Sequence, residues 1–337
     1  MKLQLVGFGN VGRTLVLLIQ EKKNKLASLG ISLKIVSISD SKGTALSMKG
    51  LDPIQVLRHK DSQWNGFNDY ILGYSALDAI RNLEGDVVVE LAPSTVSGEP
   101  GLSQIKTALA RKKHVVTANK SPLVVAFEEL TTLADKNHVR LLYEATVAAH
   151  LPVFCMAQAC FTSDELMHLE GILNATTNFV IGEMEKGRDF QTALNYAIRE
   201  GWAEPNYSDD IDGIDAARKV VILANSFFKR GAKIENVKIE GIRKIGPMIT
   251  EAKQSHKKVK LVCNISKKAN KLKMSVAPRL VSSDDPLTTV NGGDMALKLT
   301  FETSQQIFVS AQFTGVKQTA YAVLNDIIKI GSLNQAC

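Results

Sequence analysis

The chain has 337 residues, 45% of them apolar, and a formal net charge of +7, enough apolar material for a sizeable core in each of two domains. No apolar run reaches the roughly 18 to 20 residues that span a bilayer, and the N-terminus enters a strand without a signal-peptide profile; a cytoplasmic protein with no membrane association is expected. Cys155, Cys160, Cys263 and Cys337 lack CxxC spacing and sit in apolar segments or at the terminus, which predicts buried free thiols rather than zinc or disulfides. The basic residues are scattered except between Lys253 and Lys273, where lysines including Lys260 flank a strand at 259–265 without interleaved aromatics. That pattern predicts a solvated hairpin rim and argues against nucleic acid as a partner.

Leu3 to Val6 is a short apolar strand running into Gly7-Phe8-Gly9-Asn10-Val11-Gly12, after which 14–25 reads as a helix. In that setting the glycines permit a tight turn, close approach of a pyrophosphate and close helix packing, and the helix N-terminus presents its N–H groups to phosphates. The next strand, 33–38, leads to Asp40. An acid there suits an adenosine ribose 2′-hydroxyl and favours NAD, while Ser41 and Lys42 beside it suit the 2′-phosphate of NADP; a plain turn residue is the alternative reading. Strands at 86–91, 114–117 and 139–143 then alternate with helices at 104–111 and 127–136, which predicts a Rossmann-type doubly wound parallel sheet over residues 1–145, buried on both faces. Its ligand belongs beyond the C-terminal strand ends, where loops carry Ser94 and Thr95, Lys120, and Glu144 to His150. Lys120 thus falls where a nicotinamide would lie. His114, at a strand start, reads as structural, whereas His150 stays open between a structural and an acid–base role.

Further on, 151–161 reads as a buried helix, 166–173 as a strand, Asn174 to Asn178 as a polar loop entering a helix, and 190–200 as a helix stopping at Gly201 and Trp202. Candidate strands at 260–265, 272–276, 295–301 and 306–313 suit a second, α+β domain over 146–314, with helices on one face of a mixed sheet. An apolar helix at 319–329 closes the chain, and the segment of about 315–337 is expected to complete the first domain.

The densest chemistry lies between Glu204 and Lys219. Asp209, Asp210 or Asp212 is expected to cap a helix whose Ile214, Ala217, Val221, Ala224 and Phe228 form a buried stripe. At about 100° per residue, Asp212, Asp215 and Lys219 share a sector of about 60° away from that stripe. Asp215 and Lys219 alone would be an ordinary i,i+4 surface pair. With Glu204 and Asp210 close by, the lysine reads instead as a proton donor among carboxylates that orient a polar substrate.

Five segments in order, Gly7 to Gly12, Thr117 to Leu123, Glu144 to Val147, Gly171 to Asn178 and Glu204 to Lys219, resemble homoserine dehydrogenase. The resemblance implies reversible hydride transfer between NAD or NADP and the C4 carbon linking L-aspartate 4-semialdehyde with L-homoserine, in threonine and methionine biosynthesis. By matching position, Lys219 resembles the proton donor and Lys120 its partner. Glu204 and Asp215 match residues that bind the substrate's amino group and chain, Asp210 one that orients Lys219 or a water, and Thr176 a substrate contact. The implied cofactor contacts are Gly7, Phe8, Gly9, Asn10, Val11 and Gly12, then Asp40, Ser94, Thr95, Lys120, Gly201, Gly315 and Thr319. Glu144, Val147, Ala149 and Leu151 resemble a sodium (Na+) site built of oxygens. The family's glycines after Val147 are replaced by Ala148, Ala149 and His150, Ala175 stands where a glycine is common, and Phe313 to Gln318 lacks the family's glycine run. A homodimer joined through the second-domain sheets is implied, with no regulatory domain following. Two rivals, a dehydrogenase of another amino acid and a non-catalytic NAD(P)-binding protein, share Gly7 to Gly12 without needing the acidic stretch; an acyl-enzyme semialdehyde dehydrogenase would need a reactive cysteine at the cleft.

Overall fold

A computed structural model describes residues 1–203, 206–229, 231–268, 271–312 and 315–333. The chain folds as two compact units, one of Met1–Thr146 with the segment from Val316 onward, the other of Val147–Gly315.

The first unit is built on a seven-stranded sheet of β1 (Lys2–Val6), β2 (Lys34–Ser39), β3 (Gly43–Leu46), β4 (Tyr70–Leu72), β5 (Val87–Glu90), β6 (His114–Thr117) and β7 (Leu141–Leu142). The spatial order is β4-β3-β2-β1-β5-β6-β7. β2, β1, β5, β6 and β7 run parallel, whereas β3 and β4 add an antiparallel edge that the sequence pattern does not reveal. Strands buried on both faces must be apolar throughout, and Val87, Val88, Val89, Val115 and Val116 are fully buried. Chain order reverses at β1, between β2 and β5, and the glycine turn after β1 lies at this switch point. The first helix spans Asn10–Glu21, earlier than periodicity suggests, and a separate short helix follows at Lys23–Ser28. The final helix, Val316–Leu333, packs on Asn10–Glu21 and places Ala320, Val323, Leu324, Ile327 and Ile330 in the first unit's core. Lys113, buried, is satisfied by Gln4 Oε1 at 2.6 Å and by the carbonyls of Ile80 and Leu83, both at 2.7 Å.

The second unit carries a six-stranded sheet made of β8 (Leu166–Ile172), β9 (Val237–Ile239), β10 (Lys258–Lys268), β11 (Lys271–Val281), β12 (Met295–Phe301) and β13 (Gln306–Ala311). Its order is β13-β12-β8-β10-β11-β9, with every pairing antiparallel except β9 with β11. The β10–β11 hairpin pairs Lys258 with Val281 through Lys268 with Lys271. Lys260 departs from the expected solvated rim. Only 2% of it is exposed, because its ammonium donates to the Val290 carbonyl and to Asn178 Oδ1, and a buried cation persists only with such acceptors. The cysteines also divide. Cys263 is buried, Cys155 is half-buried and Cys160 is exposed, since the helix Val153–Cys160 buries only its first two residues; Cys337 lies outside the described residues. Among the described residues no helix is long and apolar enough to cross a membrane.

Candidate active site

In the first unit the chain turns sharply at Gly7, whose φ is +92°. A Cβ at Gly7 would stand 2.6 Å from the Leu91 carbonyl, and one at Gly12 would stand 2.6 Å from the Gly7 oxygen, whereas one at Gly9 would meet nothing within 4 Å. The first and third glycines are therefore required by packing and the second by open space, which is the demand a pyrophosphate makes. The helix begins at Asn10 after Gly9, with no side-chain cap, and its first-turn amides serve that space. Phe8 is buried and stacks on Trp64 at 5.9 Å, so it supports the turn from beneath. These features fit a dinucleotide.

Asp40 follows β2 and is heavily engaged. Its carboxylate accepts from Lys60 Nζ (2.5 Å), Trp64 Nε1 (2.8 Å), Tyr70 Oη (2.9 Å) and the amides of Lys42 (2.9 Å) and Gly43 (3.2 Å). Burial alone would raise its pKa, but the bonds from Lys60, Trp64, Lys42 and Tyr70 outweigh burial and hold it below the ordinary carboxylate range. Sequence spacing could not reveal the three side-chain donors, which arrive from a segment 20 to 30 residues further along the chain.

The loops after β5 and β6 come together at Asn119. Ser94 donates to Asn119 Oδ1 at 2.9 Å, while Thr95 turns to the Glu99 carbonyl at 2.7 Å. Asn119 caps the helix Lys120–Lys136, whose kink at Ala126 explains why its periodicity becomes regular only from Phe127. Lys120 is half-buried in the first turn, where the helix dipole opposes a cation. Glu144, 8% exposed, opens the 3-10 turn Glu144–Thr146, and its amide donates to Asp326 Oδ2 at 2.9 Å. Burial pushes the Asp326 carboxyl up to about 7, with the charge of Glu144 adding to that effect and the bonded amide opposing it. Gly315 and Thr319 stand just before and within the first turn of the helix Val316–Leu333. His114 Nδ1 accepts from the Arg140 amide at 2.9 Å, a structural contact.

In the second unit the acidic stretch is broken where the sequence suggests one helix. Ser208–Ile211 forms a short turn, Gly213 takes φ +82°, and the main helix runs Ile214–Phe228. No aspartate side chain caps it. Asp212 is directed to Arg243 at 2.5 Å, and Asp209 to Arg218 at 2.5 Å, so neither joins Lys219. The expected buried stripe is present at Ala217, Val221 and Ala224, whereas its end members Ile214 and Phe228 are only half-buried. Lys219, only 7% exposed, donates to the Leu173 carbonyl at 2.5 Å and pairs with Asp215 at 2.7 Å. This is a buried ion pair, not the surface pair that its spacing alone describes. Asn174 Nδ2 joins the carboxylates, reaching Asp210 Oδ1 at 2.6 Å and Asp215 Oδ2 at 3.1 Å. The Thr176 hydroxyl has one proton to share between the Trp202 carbonyl at 2.7 Å and Asp210 Oδ2 at 3.2 Å. Burial raises the Asp210 pKa and the Asp215 charge adds to it, against the donors Asn174 and Thr176 and the ammonium of Lys219.

Lys219, Asp210, Asp215 and Thr176 thus share one cluster, with Asn174 as a member that the sequence reading leaves unassigned. Its signal is an asparagine between a strand and a helix, which marks an N-cap; its amide oxygen does accept from the Thr177 amide at 2.8 Å. Glu204 lies outside the described residues. Gly201 takes φ +76° just after the helix Phe190–Arg199. In the loop Val147 to Leu151, Ala148 and Ala149 hold φ +55° and +53°. Two alanines therefore hold the left-handed backbone that glycine adopts without steric cost. His150 Nδ1 is buried with no hydrogen-bond partner among the described residues.

Residues 152–328 match the family described as homoserine dehydrogenase, and residues 7–144 match the homoserine dehydrogenase NAD binding domain. A homoserine dehydrogenase of Methanocaldococcus jannaschii is 35% identical, over 98% of both chains. The chain belongs to the homoserine dehydrogenase family. A second relative, the NAD(+)-dependent homoserine dehydrogenase of Pseudomonas canavaninivorans, is 35% identical over 98% of this chain and 96% of that one. Among solved structures, a hyperthermophilic archaeal homoserine dehydrogenase in complex with NADPH superposes with a TM-score of 0.84 at 29% identity, covering 98% of this chain and 97% of that one. The sheet at whose switch point the glycine turn lies is thus the NAD-binding domain of a homoserine dehydrogenase, an NAD(P)-binding oxidoreductase. The acidic cluster falls in the region that defines the homoserine dehydrogenase family itself.

Proposed function

We propose that Lys219 is the proton donor in the interconversion of L-aspartate 4-semialdehyde and L-homoserine, with Lys120 as a second ammonium serving the same reaction. The observation that carries this reading is a buried ammonium held against Asp215 and the Leu173 carbonyl, beside Asp210, Asn174 and Thr176. Two of the three N–H donors of Lys219 have partners among the described residues, and the third serves the substrate's oxygen. A bound nicotinamide supplies or accepts the hydride. When hydride adds to the aldehyde carbon, its oxygen takes a proton from Lys219, which water then replaces; in the oxidative direction the amine of Lys219 accepts the hydroxyl proton. Asp215 orients the lysine, Asp210 and Asp215 attract the substrate's amino group, and Thr176 and Asn174 fix the two carboxylates. Glu204 belongs to this set by its motif.

NAD is the preferred cofactor on this reading, because Asp40 is an immobilised, ionised carboxylate after β2 that disfavours a 2′-phosphate, although Lys60 beside it softens that bias. Glu144 and the carbonyls of Val147, Ala149 and Leu151 are the groups that would hold a sodium ion; the Leu151 carbonyl already accepts from the Val153 amide at 2.8 Å. Two copies associate through the second-unit sheet, where half-buried polar groups bridge strands: His168 on β8 with Asn264 on the adjacent β10 (2.6 Å), and Glu170 on β8 with Arg279 on β11 across β10 (2.8 Å). The test is homoserine oxidation followed at the nicotinamide absorbance with NAD and NADP in parallel, in sodium or potassium chloride. Faster turnover with NAD and in sodium is expected; no homoserine-dependent signal with either cofactor refutes the reaction. Light scattering that shows a single-chain mass refutes the dimer.

A further inference from the structure

The loops after β5 and β6 share a buried anchor to which the reaction above gives no role. Glu90, the last residue of β5, is wholly buried. Its Oε1 accepts from the Ala92 amide at 2.9 Å and from Asn119 Nδ2 at 3.3 Å, and its Oε2 accepts from the Thr117 hydroxyl at 2.8 Å. The Thr117 oxygen in turn accepts from the Asn119 amide at 3.0 Å, and Asn119 Oδ1 accepts from the Ser121 amide at 3.2 Å and the Ser94 hydroxyl at 2.9 Å. Gly101 closes the wall, since a Cβ there would stand 2.7 Å from Asn119 Nδ2 and 3.2 Å from Glu90 Oε1.

Every donor in this network has a fixed direction, and all of them end on the carboxylate. Asn119 turns its NH2 to Glu90 and therefore its oxygen to the helix amide. Thr117 gives its proton to Glu90 and therefore a lone pair to the backbone of Asn119. A protonated Glu90 would set an O–H against one of these donors. Thr117, Asn119 and Ser121 are each at most 3% exposed, so water could not accept the displaced proton, and the turn would have to rearrange. What faces Glu90 from β6, the 92 loop, Asn119 and Gly101 is a hydroxyl, two amides and a glycine, with no charge among them. Burial pushes the Glu90 carboxyl up to about 7, while the bonds from Thr117, Ala92 and Asn119 oppose that rise.

We propose that Glu90 is a positioning residue that, as a carboxylate, locks the amide of Asn119 and with it the first turn of the helix Lys120–Lys136, holding Lys120 and Ser94 in place for catalysis. This rests on the role given to Lys120 above. The test uses the full chain as wild type, Glu90→Gln and Glu90→Asp. Glu90→Gln keeps the shape but replaces an acceptor-only group with an amide that must also donate.

For Glu90→Gln we expect kcat to fall at least about 10-fold, cofactor Kd to change by less than about 3-fold, and the acid limb of the kcat profile near pH 7 to vanish or move. Amide hydrogen exchange should quicken about 10-fold at 119–123 but not across the unit. Glu90→Asp should recover part of the lost kcat. Wild-type kcat, acid limb and exchange in Glu90→Gln would overturn the proposal, as would faster exchange throughout the unit with unaltered kcat per folded molecule. The exchange measurement requires no turnover. A full-speed Lys120→Ala enzyme alongside local loosening in Glu90→Gln would therefore remove the catalytic reading of Lys120 while leaving the lock intact.

Discussion

Replacing Lys219 by methionine preserves the length and apolar stem of the side chain and removes only its charge and donors. The Leu173 carbonyl at 2.5 Å and the Asp215 carboxylate at 2.7 Å then lose their shared partner. Asn174 still joins Asp210 and Asp215, and the Asp210 pKa, already raised by burial and by Asp215, climbs further once the opposing ammonium is gone. Breaking such a mostly buried pair costs about 1–3 kcal/mol of stability, since Asn174 still satisfies part of Asp215. Loss of the proton donor costs kcat about 10²- to 10⁴-fold, equivalent to about 3–5 kcal/mol in the barrier. Steady-state homoserine oxidation by the nicotinamide signal, together with NADH titration by protein fluorescence, separates the two effects. Cofactor affinity should stay within about 2-fold. A methionine variant that turns over within about 10-fold of wild type, when corrected for folded fraction, would refute the assignment of Lys219.

Other sites give independent tests. Asp40→Asn should destabilise the protein by about 3 kcal/mol at pH 7 in urea titrations, because five donors lose a carboxylate. Since the folded pKa of Asp40 lies below its unfolded value, its stabilising contribution is present above about pH 4 and lost as pH falls towards the folded value; the gap between variant and wild type should shrink there, and a constant gap would contradict the pairing. Ala149→Gly relieves a positive φ at a half-buried position and should raise stability by about 0.5–1 kcal/mol. At Ala148, 1% exposed, relief is offset by loss of a buried methyl, so glycine there should be close to neutral; equal melting shifts for the two would argue against this distinction. Lys260→Met should leave the fold intact. Burial presses the wild-type lysine down to about 8, so the folded state sheds its proton first, and wild type should gain stability relative to the variant between about pH 8 and 10.5. A flat difference across that window would mean the ammonium is not buried in solution.

The parallel strands of the first unit were legible because burial on both faces leaves a continuous apolar run, as in Val87 to Val89. β3 and β4 were not, being three or four residues long, with Ile71 and Leu72 exposed. Helical periodicity marked Ala217, Val221 and Ala224, but it cannot register a single left-handed residue, so the break at Gly213 and the turning away of Asp212 were hidden. Lys260 was misplaced by its company: Lys257 and Lys258 are exposed, while two residues further on, a carbonyl from the loop at Val290 makes burial tolerable. Asn174 announced a helix start, whereas its bonds to Asp210 and Asp215 lie 36 and 41 residues away and needed the fold to become visible. The clustering of Lys219 with Asp210 and Asp215 was therefore suggested by residue type and spacing, whereas the part played by Asn174 was not.

The helix Val316–Leu333 makes the second unit an insertion within the first rather than a successor to it. During synthesis, Met1–Thr146 emerges with a gap where Ala320, Val323, Leu324, Ile327 and Ile330 will sit, and each of the four larger side chains contributes about 1.5–3 kcal/mol when fully buried. The inserted unit carries its own sheet and emerges complete before that helix does. Nucleotide-binding competence should thus be acquired only after the inserted unit has emerged, which gives the order of domain maturation a structural cause.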